Sequence, residues 1–458
     1  MSAQNEITPT APRVGWLRSI VDVRSGETLA LFASMVWIFL ALTAYYVIKP
    51  LRSAVLQEKI GVDNKWMALG LTTIFIGFFA YGYGKLVPRI PRSRLIVFTF
   101  SIFVLCLGAF AVFLPRGGAL SGYVFFIWVS TFNLMIVSQF WSLAADVWSK
   151  EQGVRLFGFI GVGGVAGGIF GTLVVSRTAR SLSTEGMLLL AAGLLACCLL
   201  LASYVLRFGA RSRPAPEPSQ EPDVGESKGP SGSSGSSSST SSSNSLMLVL
   251  GSPYLRSIAL MMLLLNLVNT SNEWVLDKMV ARSQLTGASL KEFYAEFYLI
   301  QNAITFGIQF FLTARVQRRF GAGAALLCEP MIGIFGGLVF AAMPALRVIK
   351  WHKILENAAD YSIQSNTKEL LYLPVSRLEK YSAKSFNDTF VVRGGDALAA
   401  AVIFVATLPW MQSLGELGLR LLIGFNVLLG LLWVWIAVGI GRQHRIKMAE
   451  SPAGGSER

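Results

Sequence analysis

Long apolar runs alternate with short polar breaks along most of this chain. From residue 27 onward, runs of about 20 mainly apolar residues recur, the length at which an α-helix crosses a hydrocarbon layer. In the first half the pattern predicts spans at 27–48, 66–83, 94–114, 123–146, 156–176 and 186–206. Residues 208–250 then break it: Pro and Glu come first, followed by the low-complexity run SGSSGSSSSTSSSNS. A segment of that composition has little apolar surface to bury and is expected to be a disordered linker. Six further spans begin near Leu255, Phe293, Ala322, Arg347, Phe390 and Leu419.

The expected organisation is a polar tail (1–26), a first transmembrane half (27–207), the linker (208–250), a second transmembrane half (251–441) and a polar tail (442–458). The expected architecture is an all-α membrane protein with twelve transmembrane helices in two six-helix halves, the pattern of a two-halved secondary transporter. Composition agrees. The 458 residues are 53% apolar and only 14% charged, with a mean hydropathy of +0.54, whereas soluble domains carry roughly a quarter charged residues. The first 26 residues are polar and the first apolar run is long enough to span, so no cleavable signal peptide is expected.

The net charge of +14 does not imply a nucleic-acid partner here. With the N-terminus placed in the cytoplasm, most Lys and Arg fall in cytoplasmic breaks, which orients both termini and the linker inward; the expected location is a bacterial inner membrane. Basic loops also attract anionic lipid or an anionic substrate. The four cysteines lie in apolar runs and there are two histidines. Neither a disulfide framework nor a metal site is expected, no cofactor is called for, and no obligate protein partner is indicated.

The informative residues are the polar ones inside the spans, since burying them in lipid is costly. On a helix, Lys353, Glu356, Asn357, Asp360, Gln364, Thr367 and Lys368 fall within an arc of about 120°, while Ile354, Leu355, Ala358 and Tyr361 point elsewhere. Such a stripe suits a helix lining a hydrated path. Asn266, Asn269, Thr270, Glu273 and Asp277 form a second stripe at i, i+3, i+4, i+7 and i+11. The fourth span ends at Asp146, the first reaches Lys49 and Arg52, and the eleventh carries Arg393 and Asp396. The candidate substrate-binding set is therefore Lys49, Arg52, Asp146, Glu273, Glu356, Asp360, Lys368, Lys384 and Arg393. Lys and Arg suit an anion, with Arg forks gripping phosphate or carboxylate oxygens. The acids either pair with these bases or titrate with a coupled proton.

Blander readings stand beside these. Lys49 and Arg52 can simply end a helix at the interface, Glu273 and Asp277 can be solvated at the surface, and Arg393 with Asp396 can be a structural ion pair. The series Gly161, Gly163, Gly164, Gly167, Gly168 and Gly171 lacks the Lys-Ser/Thr ending of a phosphate loop and reads as close helix packing through small residues. No nucleophile–base arrangement is visible, so a non-enzyme is expected.

Three stretches carry a family resemblance. FWSLAADVWS (140–149) followed by RLFGFIGVGGVAGGIFG (155–171) resembles the fourth and fifth spans of the ATP/ADP translocase, or nucleotide transporter, family. TKELLYLPVSRLEKYSAKSFNDTFVVRGGDAL (367–398) resembles that family's charged stretch after the tenth span. YYVIKPLRSAV (45–55) resembles the end of its first span. The resemblance implies a major-facilitator-like fold and exchange of ATP for ADP, or transport of another nucleotide. It also implies that Lys49, Lys368 and Lys384 match the family's lysines. Pro50 stands where the exchangers have an acid, and Asn269 stands where they have a glutamate, with Glu273 one turn on; these departures resemble the divergent bacterial branch. The alternative is a proton-coupled major-facilitator-type carrier of another small solute, an organic anion, with Glu273, Asp277, Glu356 and Asp360 as the protonatable set. A membrane partner or sensor that has kept the fold without transporting is a third reading.

Overall fold

The computed structural model describes residues 27–212 and 240–450. The expected N-terminal tail, residues 451–458 of the expected C-terminal tail and the Ser/Gly-rich centre of the expected linker lie outside the described residues, while 442–450 continue the last helix rather than forming a tail. The first half comprises α1 (Thr28–Val55), α2 (Lys65–Leu86), α3 (Arg92–Arg116), α4 (Ala119–Val147), α5 (Lys150–Thr178) and α6 (Thr184–Ser212). The second comprises α7 (Thr240–Gly251), α8 (Pro253–Arg282), α9 (Gly287–Gly307), α10 (Ala314–Ala325), α11 (Cys328–Ala342) and α12 (Leu346–Ala359). It continues with α13 (Ser365–Leu371), α14 (Arg377–Phe386), α15 (Val392–Ala406), α16 (Pro409–Ser413) and α17 (Glu416–Glu450). Ten described helical segments are long and apolar enough to cross a membrane, and α11 is a shorter apolar helix. Successive spans alternate in direction, so the bundle has a terminal face, where α1 begins and α17 ends, and an opposite face.

Local chemistry sets the ends. The Ser149 hydroxyl accepts from the Gln152 amide while the Gln152 side chain accepts from the Ser149 amide, a reciprocal cap that starts α5. Ser252 and Pro253 start α8 in the same spirit, the hydroxyl accepting from the Leu255 amide and proline filling the first helical position. After α1 the chain passes through a wide π-helical turn, Leu56–Ile60, and stops at Gly61, whose φ of 81° is open to glycine.

The expected linker is shorter than its composition suggested. Residues 208–212 extend α6, and 240–250 belong to α7. The correction has a physical cause at the second boundary: Leu248 and Val249 join a core with Tyr254, Leu255, Leu371 and Tyr372, and that burial outweighs the weak helix preference of the preceding serines.

The glycine series does what close packing requires. A Cβ on Gly163, Gly167 or Gly171 would lie 2.6, 2.3 and 2.6 Å from the backbone oxygens of Met35, Phe39 and Thr43. One face of α5 therefore lies directly on the α1 backbone, and the Thr43 hydroxyl bonds the Gly167 carbonyl at 3.3 Å. This fixes α1, and with it the side chains at its far end. Gly167→Val is expected to lower the thermal midpoint of the detergent-solubilised protein by several degrees, an overpacking cost of about 1–3 kcal/mol or more. Gly158→Ala, where an added Cβ meets nothing within 4 Å, should leave the midpoint unchanged.

Candidate functional site

Between the halves lies a cavity of about 170 Å³, lined by Tyr45, Lys49 and Arg52 of α1, Asn133 of α4, and residues of α8, α9 and α12 including Asn269, Glu273, Asp277, Tyr298 and Asn357. Its floor, toward the opposite face, is a set of bonds tying the halves together. Lys65, at the first turn of α2, puts its ammonium 2.5 Å from Asp277 and 3.5 Å from Glu273. Lys278 pairs with Asp63 at 2.5 Å, and the Trp274 indole donates to the Val62 carbonyl at 3.0 Å. The Gln57 amide donates to the Asp277 carbonyl and the Tyr294 hydroxyl at 2.8 and 2.9 Å, and Tyr294 in turn donates to the Asp277 carboxylate at 2.6 Å. Trp66 and Phe404 seal the same end, their ring centroids 4.9 Å apart.

Charge is almost balanced inside. The Arg52 guanidinium lies 3.9 Å from Glu273, donates to the Ser130 hydroxyl at 3.1 Å and covers the Phe126 ring at 4.6 Å. Lys353 pairs with Glu356 at 2.8 Å and donates to both the Asn269 backbone carbonyl and its side-chain oxygen. Glu356 also accepts from Asn272, which accepts from Asn426, which accepts from Ser271. This network ties α12 to α8 and α17 with its polar groups bonded, the condition under which buried polar networks are tolerable. One cation remains. Lys49 is 8% exposed and has no carboxylate within ion-pair distance among the described residues. Four tyrosine rings surround its ammonium instead: Tyr298 at 4.2 Å, Tyr46 at 5.3 Å, Tyr361 at 5.8 Å and Tyr45 at 5.9 Å. Cation–π attraction holds a charge there without neutralising it.

The candidate residues divide by place. Lys49, Arg52 and Glu273 line the cavity, and Glu356 sits directly behind it through Lys353. Asp360 and Lys368 pair with each other at 3.4 Å toward the terminal face. Lys384 pairs with Glu369 at 2.6 Å, and Arg393 with Asp396 at 2.9 Å, where Thr270 also donates. Asp146 stands next to last in α4, at the terminal face. The polar stripe of α12 is mostly turned into the second half: Lys353 and Glu356 are buried, Asn357 bonds Gln301 at 2.9 Å and alone reaches the cavity wall, and Thr367 accepts from Gln317. The chain widens to π-helical turns at Asp360–Gln364, and Tyr361, on the apolar side of an ideal helical plot, faces Lys49.

Sequence reasoning passed over Lys65, Lys353, Tyr298 and Tyr361 as site residues. Lys65 stands at a predicted span boundary, where a lysine reads as a solvated flank. Its only local signal was the apolar run that follows at once.

No protein-family model and no curated protein sequence matches this chain. Solved structures do. The fold is similar to that of a bacterial homologue of the human lysosomal transporter Spinster, inward-facing and unoccupied, at 13% identity and a TM-score of 0.58, covering 95% of this chain and 100% of that one. It is similar to the nucleoside transporter NupG at 12% identity and a TM-score of 0.62, covering 89% and 98%. It is similar to an inward-facing bacterial homologue of the iron transporter ferroportin at 11% and 0.62, covering 91% and 98%. The fold is thus all-helical and major-facilitator-like, in an integral, multi-pass membrane protein.

The pair Lys65–Asp277, with side chains 2% and 3% exposed, is expected to behave as a buried ion pair. Lys65→Met should destabilise the protein by about 3–5 kcal/mol because it strands a buried carboxylate. The double variant Lys65→Met/Asp277→Leu should recover most of that loss, read as thermal midpoints in one detergent.

Proposed function

We propose that the protein is a secondary transporter of a nucleotide-like anion, working by alternating access between its two six-helix halves, with ATP:ADP exchange as the leading form. The observation that carries the reading is Lys49: beside Arg52, which has Glu273 at 3.9 Å, Lys49 lines the same cavity with no carboxylate at ion-pair distance among the described residues, and it faces aromatic rings. A phosphate would supply the missing negative charge, held by the Lys49 ammonium and the Arg52 fork, while a planar base would stack on Tyr298 or Tyr361. The resemblance of 140–149, 155–171 and 367–398 to nucleotide-transporter stretches favours the same class, and the fold is similar to that of NupG, a nucleoside transporter by name.

The opposite-face bonds make this the state closed on that side. With the termini cytoplasmic in a bacterial inner membrane, access is from the cytoplasm, which matches the inward-facing state of the Spinster and ferroportin homologues. About 170 Å³ is less than the ~300–1,000 Å³ that encloses a drug-sized ligand. A nucleotide would therefore fill the cavity with one end and extend along the route toward Lys368, Lys384 and Asp146. Glu273 bridges Arg52 and Lys65, so an anion that takes Arg52 from it loosens the floor. That is a direct means of linking binding to opening.

The test is uptake of radiolabelled ATP into proteoliposomes, with and without ADP inside. Internal ADP is expected to stimulate uptake. Lys49→Ala is expected to weaken apparent affinity by about 10–100-fold, the worth of a charged hydrogen bond of ~1.5–3 kcal/mol, at equal membrane abundance. Undiminished uptake in Lys49→Ala would remove it from the site, and no ATP uptake by correctly inserted protein would sink the nucleotide reading.

A further inference from the structure

Behind the cavity, α11 and α12 pack antiparallel along a seam that is apolar at one end and carries ionisable side chains toward the terminal face. On α11 the facing positions are Glu329, Gly333, Gly336 and Phe340; on α12 and the turns after it they are Ile349, His352, Glu356 and Asp360. Gly336 has no room for a side chain, since a Cβ there would lie 2.4 Å from the His352 ring, and a Cβ on Gly333 would lie 3.7 Å from the Glu356 carboxylate. The two helices thus bring His352, Glu356, Glu329 and Asp360 into one line running toward the terminal face. The line ends at the Asp360–Lys368 pair, whose side chains are 14% and 22% exposed.

Two members of this line have no partner. Glu329 is 1% exposed, and no described protein group donates to either of its carboxyl oxygens; His352 is 4% exposed, and neither ring nitrogen is bonded. The charged groups facing Glu329 are Asp360, Lys368, Glu356 and Lys353, and those facing His352 are Glu356 and Lys353. The nearest cations are already taken, Lys353 by Glu356 and Lys368 by Asp360. Packed on the other side of α11, α17 offers the apolar Ile423, Val427 and Gly430. An ionised carboxylate with no donor in such surroundings costs far more than the neutral acid, whose unbonded burial costs about 1–3 kcal/mol.

We propose that Glu329 carries an exchangeable proton and that the α11–α12 seam is a proton route of this transporter. The proton bonds to a Glu329 carboxyl oxygen in the state closed at the opposite face. When the halves rock and the seam hydrates, Glu329 releases it by way of Asp360 to water at the terminal face, and on return it is taken up again. His352 and Glu356 extend the line toward Lys353 and the cavity, so proton occupancy and the charge balance around Lys49 are felt through one network. The inference rests on the chain being a transporter, not on the substrate being a nucleotide. Ionisable side chains inside a membrane bundle are rare, face the bundle interior, and mark proton relays in pumps and transporters.

Infrared pH-difference spectra of the full-length protein in liposomes test it without any substrate. The wild type should show a protonated-carboxyl C=O band that fades as pH is raised. The band should be missing from Glu329→Gln and kept, shifted, in Glu329→Asp. Identical spectra for wild type and Glu329→Gln would overturn the assignment, and so would a band that never titrates, since that marks a static neutral acid. In proteoliposomes with ATP as the probe, an imposed proton gradient should raise wild-type uptake severalfold, and the ratio with and without gradient should fall to unity in Glu329→Gln. A gradient without effect on wild-type uptake would overturn the route. Complete absence of ATP uptake would count against the nucleotide reading alone, and the infrared titration would still decide the role of Glu329.

Discussion

Charge inside a bundle that crosses hydrocarbon must be matched, bonded or wetted, and this constraint organises the whole interior. An unpaired ion away from water costs several kcal/mol. The protein answers with Lys65 on Asp277, Arg52 near Glu273, Lys353 on Glu356, Lys368 on Asp360 and Arg393 on Asp396. Each pair also joins elements or stiffens one. The first two link the halves, and the third anchors α12 to α8 through Asn269 and Asn272. Electrostatic necessity and architecture are the same set of bonds, and the groups left over, Lys49 and Glu329, stand out against it.

Those bonds depend in turn on backbone placement. The α5 glycines let α1 approach until its carbonyls meet them, and the lower part of α1 then delivers Tyr45, Lys49 and Arg52 to the midline. Pro50 follows Lys49 inside the helix; it lacks an N–H, and the turn around it is held by packing rather than by a full ladder of hydrogen bonds. Two of the wide π-helical segments, Leu56–Ile60 and Asp360–Gln364, flank the cavity. Such turns re-aim side chains by a fraction of a turn, and the second brings Tyr361 toward Lys49. The Lys65, Lys278 and Gln57 bonds all lie at the floor of the cavity, so that end is closed by several ties between the halves at once.

Much of this was legible in the sequence, and what was legible is local. Apolar runs of spanning length marked the spans, and small-residue spacing marked the α5 packing face. Intramembrane polarity singled out Lys49, Arg52, Glu273 and Glu356, because a charge that must be buried is conspicuous in an apolar run whatever it meets. Periodicity also grouped Asn269, Glu273 and Asp277 on one face of α8. The α12 stripe is divided rather than turned one way: Lys353 and Glu356 bond α8, Asn357 reaches the cavity wall, and Asp360 pairs with Lys368 toward the terminal face.

The sequence by itself determined that the chain is a helical membrane protein, where its helices run, and which charges lie within them, since each of these follows from hydrophobicity and a repeat of 3.6 residues along one element. Only the tertiary structure decided the pairing. Which carboxylate meets Lys65, why Lys49 is left among tyrosines, and how Glu329 comes to lie unbonded beside Asp360 depend on how helices distant in sequence cross. Charge partners in a bundle are chosen by that crossing geometry to within a few ångströms, and at such separations Coulomb attraction and hydrogen bonding change from negligible to dominant.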